Sequence, residues 1–352
     1  MLHKIMLVLL FLIQILTAQE VYKDLNYLIK NKEYGKFHIF VDSLLEKDNN
    51  NADLNLLKGR VLVDQFRLEE SKPFLEKAVS FDKQNSGAKA WGLNYLAMIA
   101  YLDNDKEKCF QYLNTSLVLN AGKNAVKFAQ EKILIWGFSD FYKDWEKQET
   151  EHFVFHFQPN SIITYKTKFM ETRESAFQKI SQFFDVSLQS KIDFYIWNSD
   201  AEAKEKGIYS VGFALPEFFI IHSKANQTPG HEVTHIISHY LSKDVKKIRF
   251  INEGIAVCFD CNPDTNFLKI KQIRETEKYN DKISIIDAWL NKSKYSDGIL
   301  YPVAGEFVNR ILEKGGKEKF LKLVVDQSLS NARALYGELL DDVIKQIELE
   351  IN

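Results

Sequence analysis

Two short motifs constrain this chain more than any other feature: an HEVTH sequence at residues 231–235 and an NEGIA sequence at residues 252–256. Residues four apart on an α-helix share one face, so the first motif predicts a helix that points His231 and His235 at a single ion. Glu232 lies beside them, where its carboxylate can reach a water held on that ion and act as a general base. This pattern is typical of a catalytic zinc site. A pair of ordinary helix histidines is the alternative.

A catalytic zinc ion normally takes three protein ligands and leaves its fourth position to water. Glu253 is the predicted third ligand, because polar residues 242–249 favour a loop and apolar residues 254–259 favour a second helix that carries Glu253 back to the histidines. The rival is His239, on the first helix. It lies eight residues after His231, a rise of roughly 12 Å at about 1.5 Å per residue, whereas ligand atoms lie about 2 Å from one ion. His239 is therefore expected in the cleft but outside the ligand set.

These motifs resemble those of the gluzincin metallopeptidases, most closely the peptidase MA-like group, which pairs the two-histidine helix with a downstream WLxEGxA segment. Residues 250–256 are FINEGIA, so phenylalanine replaces the usual tryptophan while the glutamate, glycine and alanine match. Residues 149–157 are similar to the opening strand of those domains, and residues 301–323 resemble their closing helices. The resemblance covers about the last 200 residues. It implies a zincin-like α+β fold that hydrolyses peptide bonds with Zn²⁺.

The resemblance also implies two catalytic residues. Glu232 would take a proton from the attacking water and return it to the leaving amine. Related enzymes use a tyrosine or histidine to stabilise the oxyanion, and Tyr301 matches best by position, ahead of His239, Tyr240 and Tyr295. A tyrosine that only packs against its neighbours is the alternative for Tyr301.

Residues 1–18 have the pattern of a secretory signal peptide: Lys4 supplies positive charge, residues 5–16 are almost wholly apolar, and Ala18 is small enough for cleavage. The apolar core is too short to anchor the chain in a bilayer. We therefore expect export to the periplasm, the cell surface or the medium, with no membrane span after signal cleavage. The net charge of −2 and the interspersed lysines and acidic residues give no indication of nucleic-acid binding.

Residues 21–119 contain an internal repeat with spacings of 34 and 38 residues, close to the period of tetratricopeptide repeats. Small residues stand where paired helices would approach, and an acidic or amide residue stands at each following turn. Three helix pairs and a terminal helix over residues 123–145 would form a short solenoid, which either supports the second domain or binds a protein partner. The positions in register are Phe37, Ser71 and Cys109, then Leu44, Ala78 and Ser116, then Asp48, Asp82 and Asn120.

The predicted organisation is a signal peptide at 1–18, a tetratricopeptide-like domain at 19–147 and a peptidase MA-like domain at 148–352. In the last domain, alternation and turn signals predict strands at 152–157, 191–197 and 212–222 and a helix at 165–184.

Two details of the last domain follow from its sequence. Glu217–Ile221 is the candidate edge strand that would hold an extended peptide; a buried core strand is the alternative. Cys258 and Cys261 would form a disulfide or remain two free thiols.

The sequence thus predicts an α+β, exported zinc metallopeptidase that acts on a peptide or protein. Two other functions stay open. One is a catalytically silent metallopeptidase-like scaffold whose repeats bind a partner. The other is a zinc hydrolase of a non-peptide amide, such as one in the cell wall. The intact Glu232 favours an enzyme, because a structural zinc site needs no carboxylate at that position.

Overall fold

A computed structural model describes residues 19–241, 247–260, 266–276, 281–292 and 295–352. The chain divides into two compact units, Met1–Asp140 and Phe141–Asn352. The boundary predicted from the sequence, between residues 147 and 148, lies seven residues after this division and falls inside a strand of the second unit, Glu146–Glu149. The signal-like segment 1–18 lies outside the described residues. Among those described, no helix combines the length and the apolar character that a membrane span requires.

The described part of the first unit is helical throughout. Its helices are α1 (residues 19–30), α2 (Tyr34–Leu45), α3 (Ala52–Asp64), α4 (Leu68–Phe81), α5 (Gly87–Leu102), α6 (Lys106–Leu119) and α7 (Lys123–Ile135). Consecutive helices pack in pairs, α3 on α4 and α5 on α6. The repeat positions Phe37, Ser71 and Cys109 lie on α2, α4 and α6 in turn, and all three side chains are fully buried.

The predicted helix over residues 123–145 is wrong in its second half. Helix α7 ends at Ile135 because Gly137 adopts a left-handed backbone, with φ at 78°. The N–H of Phe138 then bonds to the carbonyl of Ile133 at 2.9 Å, which closes the helix end as a Schellman turn. Trp145, the last residue of the predicted helix, belongs to the second unit.

The second unit contains one five-stranded mixed sheet. Its strands are β1 (Glu146–Glu149), β2 (Phe153–Phe157), β3 (Ile192–Trp197), β4 (Phe213–Leu215) and β5 (Ile220–Lys224). The spatial order is β1-β2-β3-β5-β4, with β2, β3 and β5 parallel and both outer strands antiparallel. The predicted strands that became β2 and β3 are confirmed.

The predicted strand at 212–222 is two strands instead of one. A 3₁₀ turn, Pro216–Phe218, separates β4 from β5, and Phe219 follows it with φ at 52°. Because β5 lies between β3 and β4 and is largely buried, the choice of Glu217–Ile221 as the edge strand is wrong. The edge strand on this side of the sheet is β4, and β1 lies at the other edge.

The other regular elements described in the second unit are mainly helices, so this unit is α+β. They are α8 (Lys166–Phe184), α9 (Asp200–Glu205), α10 (His231–Leu241), α11 (Arg249–Cys258), α12 (Asn266–Thr276), α13 (Ile285–Trp289), α14 (Asp297–Val325), α15 (Leu329–Tyr336) and α16 (Glu338–Ile351). Helix α14 is broken at Gly316, where φ is 80°. The predicted helices α8, α10 and α11 are confirmed.

One continuous apolar core joins the sheet to α8 and to helices α10 to α16. Phenylalanines of β2 and β3 pack against α8, and α10 lies on α8 and next to β4. Helix α11 lies on α14. This packing fixes the two helices that carry the HEVTH and NEGIA motifs close to the sheet edge.

Candidate metal centre

His231, His235 and Glu253 come together as the sequence predicts. One ligand atom from each lies within 4.8 Å of the other two. The histidines occupy the first and second turns of α10, and Glu253 lies in the middle of α11 rather than at its start. His239 lies one turn beyond His235, lines the same cleft, and is outside the cluster.

The distances within the cluster fit one small cation. The Nε2 atoms of His231 and His235 each lie 3.4 Å from the same oxygen, Oε2 of Glu253. Two ligand atoms held about 2.0–2.1 Å from a tetrahedral zinc ion would lie about 3.3–3.4 Å apart. Two imidazole nitrogens and one carboxylate oxygen also form a ligand set that zinc accepts in catalytic sites. The residues therefore fit zinc in both chemistry and spacing.

The nitrogens that face away from the cluster are held as well. Nδ1 of His231 lies 2.9 Å from Oδ1 of Asp260, and that oxygen also accepts a hydrogen bond from Thr228. Nδ1 of His235 lies 3.1 Å from Nδ2 of Asn252. If a cation takes Nε2, His235 carries its proton on Nδ1, and a half-turn of the Asn252 amide offers an oxygen to it.

Sequence reasoning missed both of these supporting residues. Asn252 directly precedes Glu253, so its place in the motif was a usable signal. Asp260 lies after the end of α11, and only the tertiary packing of α11 beside α10 brings it to His231.

Burial and hydrogen bonding act in opposite directions on the ionisable groups of the cluster. Burial alone would raise the pKa of the Glu253 carboxyl, but hydrogen bonds from His231 and His235 bring that pKa below its ordinary range. Burial alone would lower the pKa of His231, but its bonds to Asp260 and Glu253 raise it. A divalent cation on these nitrogens would compete with protons for them, so its binding would depend on pH.

Glu232 projects into the same cleft and is only 5% exposed. Burial raises the pKa of its carboxyl, and the two neighbouring histidines oppose that effect. Raising a carboxyl pKa toward neutrality improves it as a proton acceptor and donor near neutral pH.

Glu232 and the three residues of the cluster, His231, His235 and Glu253, line a cleft of about 670 Å³. Tyr301, near the start of α14, lies on its wall with its ring stacked on that of His231, 5.8 Å between centroids. Of the three rivals to Tyr301, His239 lines the cleft. The hydroxyl of Tyr240 donates to the carbonyl of Pro216, and that of Tyr295 accepts from the Ser284 N–H.

The edge strand β4 meets this cleft. Gly212, Phe213 and Ala214 form part of its wall, together with residues of α10 and α11. A chain lying in the cleft would therefore run beside the outer edge of the sheet.

The cysteine prediction is only partly described. Cys258 has a free thiol near the end of α11, and Cys109 is a free, buried thiol in the first unit. Cys261 lies outside the described residues, as do residues 242–246 of the predicted loop.

Comparison of this chain with protein-family models and with curated proteins finds no match. Its function must therefore be argued from the cleft and the residues in it.

Proposed function

We propose that this chain is a zinc-dependent metallopeptidase of the gluzincin type, with a zincin-like second domain. The observation that carries this proposal is the convergence of two imidazole nitrogens on one carboxylate oxygen, each at 3.4 Å, beside the buried Glu232. Glu232 is a further buried carboxylate in the same cleft, and a purely structural metal site would not need it.

His231, His235 and Glu253 would hold the zinc ion, with Asp260 and Asn252 fixing the orientation of the two imidazole rings. Bound zinc supplies Lewis-acid chemistry, which lowers the pKa of water and polarises a carbonyl group.

The protein's own acid–base chemistry resides in Glu232. Its carboxylate would take a proton from the attacking water and then pass the proton to the nitrogen of the leaving amine. Because the side chain is 5% exposed, bulk water competes little for that proton.

Tyr301 is the proposed oxyanion donor. The Tyr301 ring stacks on the His231 ring, and Tyr301 lines the cleft from its place near the start of α14. Burial raises the pKa of the Tyr301 phenol, and the nearby Glu253 charge adds to that effect. The hydroxyl therefore keeps its proton and can donate it in a hydrogen bond.

The substrate would be a peptide in extended conformation. Strand β4 is the last strand of the sheet, so its outer edge offers main-chain N–H and C=O groups to a chain in the cleft. Such pairing stabilises any extended peptide and demands little of its sequence. An unfolded or loop segment of a protein suits this cleft better than a folded surface.

For the first unit we propose a tetratricopeptide-like solenoid. The support is the recurrence of buried small side chains at equivalent places on α4 and α6, namely Ser71, Ala78, Cys109 and Ser116. Stacked helix pairs of this kind present a surface that can bind a protein partner, or they can support a neighbouring domain.

The test combines metal content with hydrolysis. The purified protein should contain about one zinc per chain by elemental analysis, and it should cleave a generic unfolded protein such as reduced casein. A chelator should abolish cleavage, and added zinc should restore it. His235→Ala and Glu253→Ala should lose zinc, because each removes one of three ligands.

Glu232→Gln is the matched variant for the chemistry. It keeps the size and most of the polarity of the side chain but removes the base, so zinc should stay bound while hydrolysis falls by about 10² to 10⁴. Full activity in Glu232→Gln would overturn the mechanism. If the wild-type protein binds zinc and cleaves neither peptides nor cell-wall amides, the scaffold function becomes the better proposal.

A further inference from the structure

We propose that Gln227 is a positioning residue: its side-chain amide orients the Glu232 carboxylate for proton transfer. This inference rests on the proposed hydrolytic function of the site. Gln227 lies between β5 and α10 and lines the cleft. Its Nε2 donates a hydrogen bond to Oε1 of Glu232 at 3.0 Å. In the described part of the chain, no other side chain donates a hydrogen bond to this carboxylate.

The orientation of the Gln227 amide is fixed by its other contacts. Its Oε1 accepts hydrogen bonds from the Lys224 backbone N–H and from the Ser223 hydroxyl, both at 3.0 Å. A backbone N–H can only donate, so the amide oxygen must face Lys224. The amide nitrogen must then face Glu232, and a flipped amide would lose the hydrogen bonds to the Lys224 N–H and to the Glu232 carboxylate.

The backbone of Gln227 is held as firmly as its side chain. The buried guanidinium of Arg173, on α8, donates to the Gln227 carbonyl at 2.8 Å. That guanidinium is itself packed over the Phe169 ring, 3.3 Å from the ring centroid. These contacts tie the backbone of Gln227 to the core of the second unit, which fixes the position of its side-chain amide.

Gly212 provides the space that the amide occupies. A Cβ atom at Gly212 would lie 2.2 Å from the Gln227 Nε2, and the backbone there has φ at 96°. Both the close approach and the left-handed backbone call for glycine. A glycine directly before β4 therefore leaves the space in which the Gln227 amide lies.

The hydrogen bond has a chemical consequence for Glu232. It engages Oε1 and leaves Oε2 to accept a proton from water. A neutral amide orients the carboxylate without the full positive charge that a lysine or arginine would bring, so the carboxylate stays a usable base. Positioning of a catalytic group by a supporting residue typically changes activity by about 10 to 100-fold.

The kinetic test uses two variants of Gln227. Gln227→Met removes the donor at similar length. Gln227→Glu keeps an oxygen for Lys224 and Ser223 and replaces the donor to Glu232 with a second carboxylate oxygen, which repels the Glu232 carboxylate. Both should lower kcat by about 10 to 100-fold with KM near wild type. Zinc content should not change, because Gln227 has no hydrogen bond to any of the three proposed ligands. Wild-type kcat in either variant would overturn the proposal.

A double-mutant cycle separates positioning from a general effect on folding. Adding Gln227→Met to Glu232→Gln should cause no further loss of the residual hydrolysis, since both substitutions act through one carboxylate. Losses that multiply would show that Gln227 acts independently of Glu232, and would contradict the proposal.

A spectroscopic test needs no catalysis. In ¹⁵N-labelled protein without metal, the side-chain amide resonance of Gln227 should shift in Glu232→Gln. It should stay in place in Glu217→Gln, which changes a cleft carboxylate that forms no hydrogen bond with Gln227. An unchanged chemical shift of the Gln227 amide in Glu232→Gln would overturn the inference even if the enzyme is active. If the wild-type protein hydrolyses nothing, the proposed function fails and the catalytic role of Gln227 fails with it, whatever the resonance shows.

Discussion

At the scale of single residues, Tyr301 tests the chemistry most selectively. Tyr301→Phe removes only a hydroxyl, so the ring can still stack on His231. If that hydroxyl stabilises the oxyanion, kcat should fall by about 10² to 10³ while KM changes little. Steady-state kinetics on a quenched fluorescent peptide measures both constants.

The matched control for Tyr301→Phe is Tyr295→Phe, a few residues upstream. The Tyr295 hydroxyl accepts a hydrogen bond from the Ser284 N–H at 2.8 Å, away from the cleft, so its removal should leave kcat unchanged. Equal activity of Tyr301→Phe and wild type would remove Tyr301 from the mechanism without touching the metal site or Glu232.

Asp82 gives a residue-scale prediction in the first unit. Its carboxylate accepts hydrogen bonds from the backbone N–H groups of Gln84, Ser86 and Lys89 and from the Ser86 hydroxyl. Burial alone would raise the pKa of Asp82, but these bonds lower it. A lowered folded-state pKa means that the stabilisation is fully present above the unfolded value of about 3.9 and is lost as pH falls through the folded pKa.

Asp82→Asn should therefore destabilise the α4–α5 turn by about 1–2 kcal/mol at pH 7, and the difference from wild type should shrink below about pH 4. The loss of stability at each pH is measured by hydrogen exchange of the α4 and α5 amides at pH 7 and at acidic pH, corrected for intrinsic exchange rates. Asp48→Asn is the control: Asp48 is the equivalent residue in the first repeat, but it is exposed and makes two longer contacts. A cost that is the same for both variants would contradict this account.

Residue types and spacing were enough to predict that His231, His235 and Glu253 meet in one cluster. His231 and His235 share a helix, and their separation follows from helix geometry alone. The partners of the site were not predictable in the same way. Asp260 and Gln227 reach the site through contacts between different elements, and no local pattern in the sequence encodes such contacts.

At the scale of elements, the approach of α11 to α14 determines where Glu253 lies. A Cβ atom at Gly254 would lie 2.6 Å from the carbonyl oxygen of Ala304 on α14, so the two backbones leave no room for a methyl group. Gly254→Ala should push α11 outward, cost about 1–3 kcal/mol and weaken zinc binding through the displaced Glu253. Thermal unfolding and zinc titration measure these effects.

Gly35→Ala is the matched control for the helix substitution. Gly35 is also helical, and a Cβ atom there would meet nothing within 4 Å. Alanine should be neutral or stabilise α2 by up to about 1 kcal/mol, since it is the better helix former. Wild-type stability and zinc affinity in Gly254→Ala would show that the α11–α14 contact can relax, against our expectation.

The helices of the second unit were more predictable than its sheet edge. Apolar periodicity marks α8 and α10 directly. The segment that contains β4 and β5 was predicted as one strand because residues 218–221 form an apolar run. In the structure this run includes the turn between the two strands. Phe219 takes a left-handed backbone, which a bulky residue rarely adopts. The direction of the chain therefore reverses where the sequence suggests a continuous strand.

At the scale of the whole molecule, each of the two units has buried apolar clusters of its own. Every residue of the large apolar core that joins the sheet to α8, α10, α11 and α14 lies between residues 153 and 351. The first unit has its own buried clusters, which lie between its helices. We therefore expect the second unit to fold and bind zinc without the first.

The sequence predicted two domains that meet between residues 147 and 148, whereas the two compact units divide between Asp140 and Phe141. Residues 141–147 look like the end of a helix by composition, and nothing local shows that Tyr142 and Trp145 pack against the sheet. In the structure, the Tyr142 ring lies 5.0 Å from Tyr195 and the Trp145 ring 5.0 Å from Trp197, centroid to centroid. These aromatic contacts with β3 assign the segment to the second unit.

Two fragments test this boundary: residues 141–352 and residues 148–352. The shorter one lacks Tyr142 and Trp145, which are both 4% exposed, and the first half of β1. Loss of one buried large aromatic side chain costs about 3–5 kcal/mol, a large part of the roughly 5–15 kcal/mol that stabilises a typical domain. The 141–352 fragment should unfold cooperatively and hold zinc. The 148–352 fragment should unfold at much lower temperature or fail to fold. Circular dichroism melts and zinc content decide, and equal stability of the two would place the boundary at residue 148 after all.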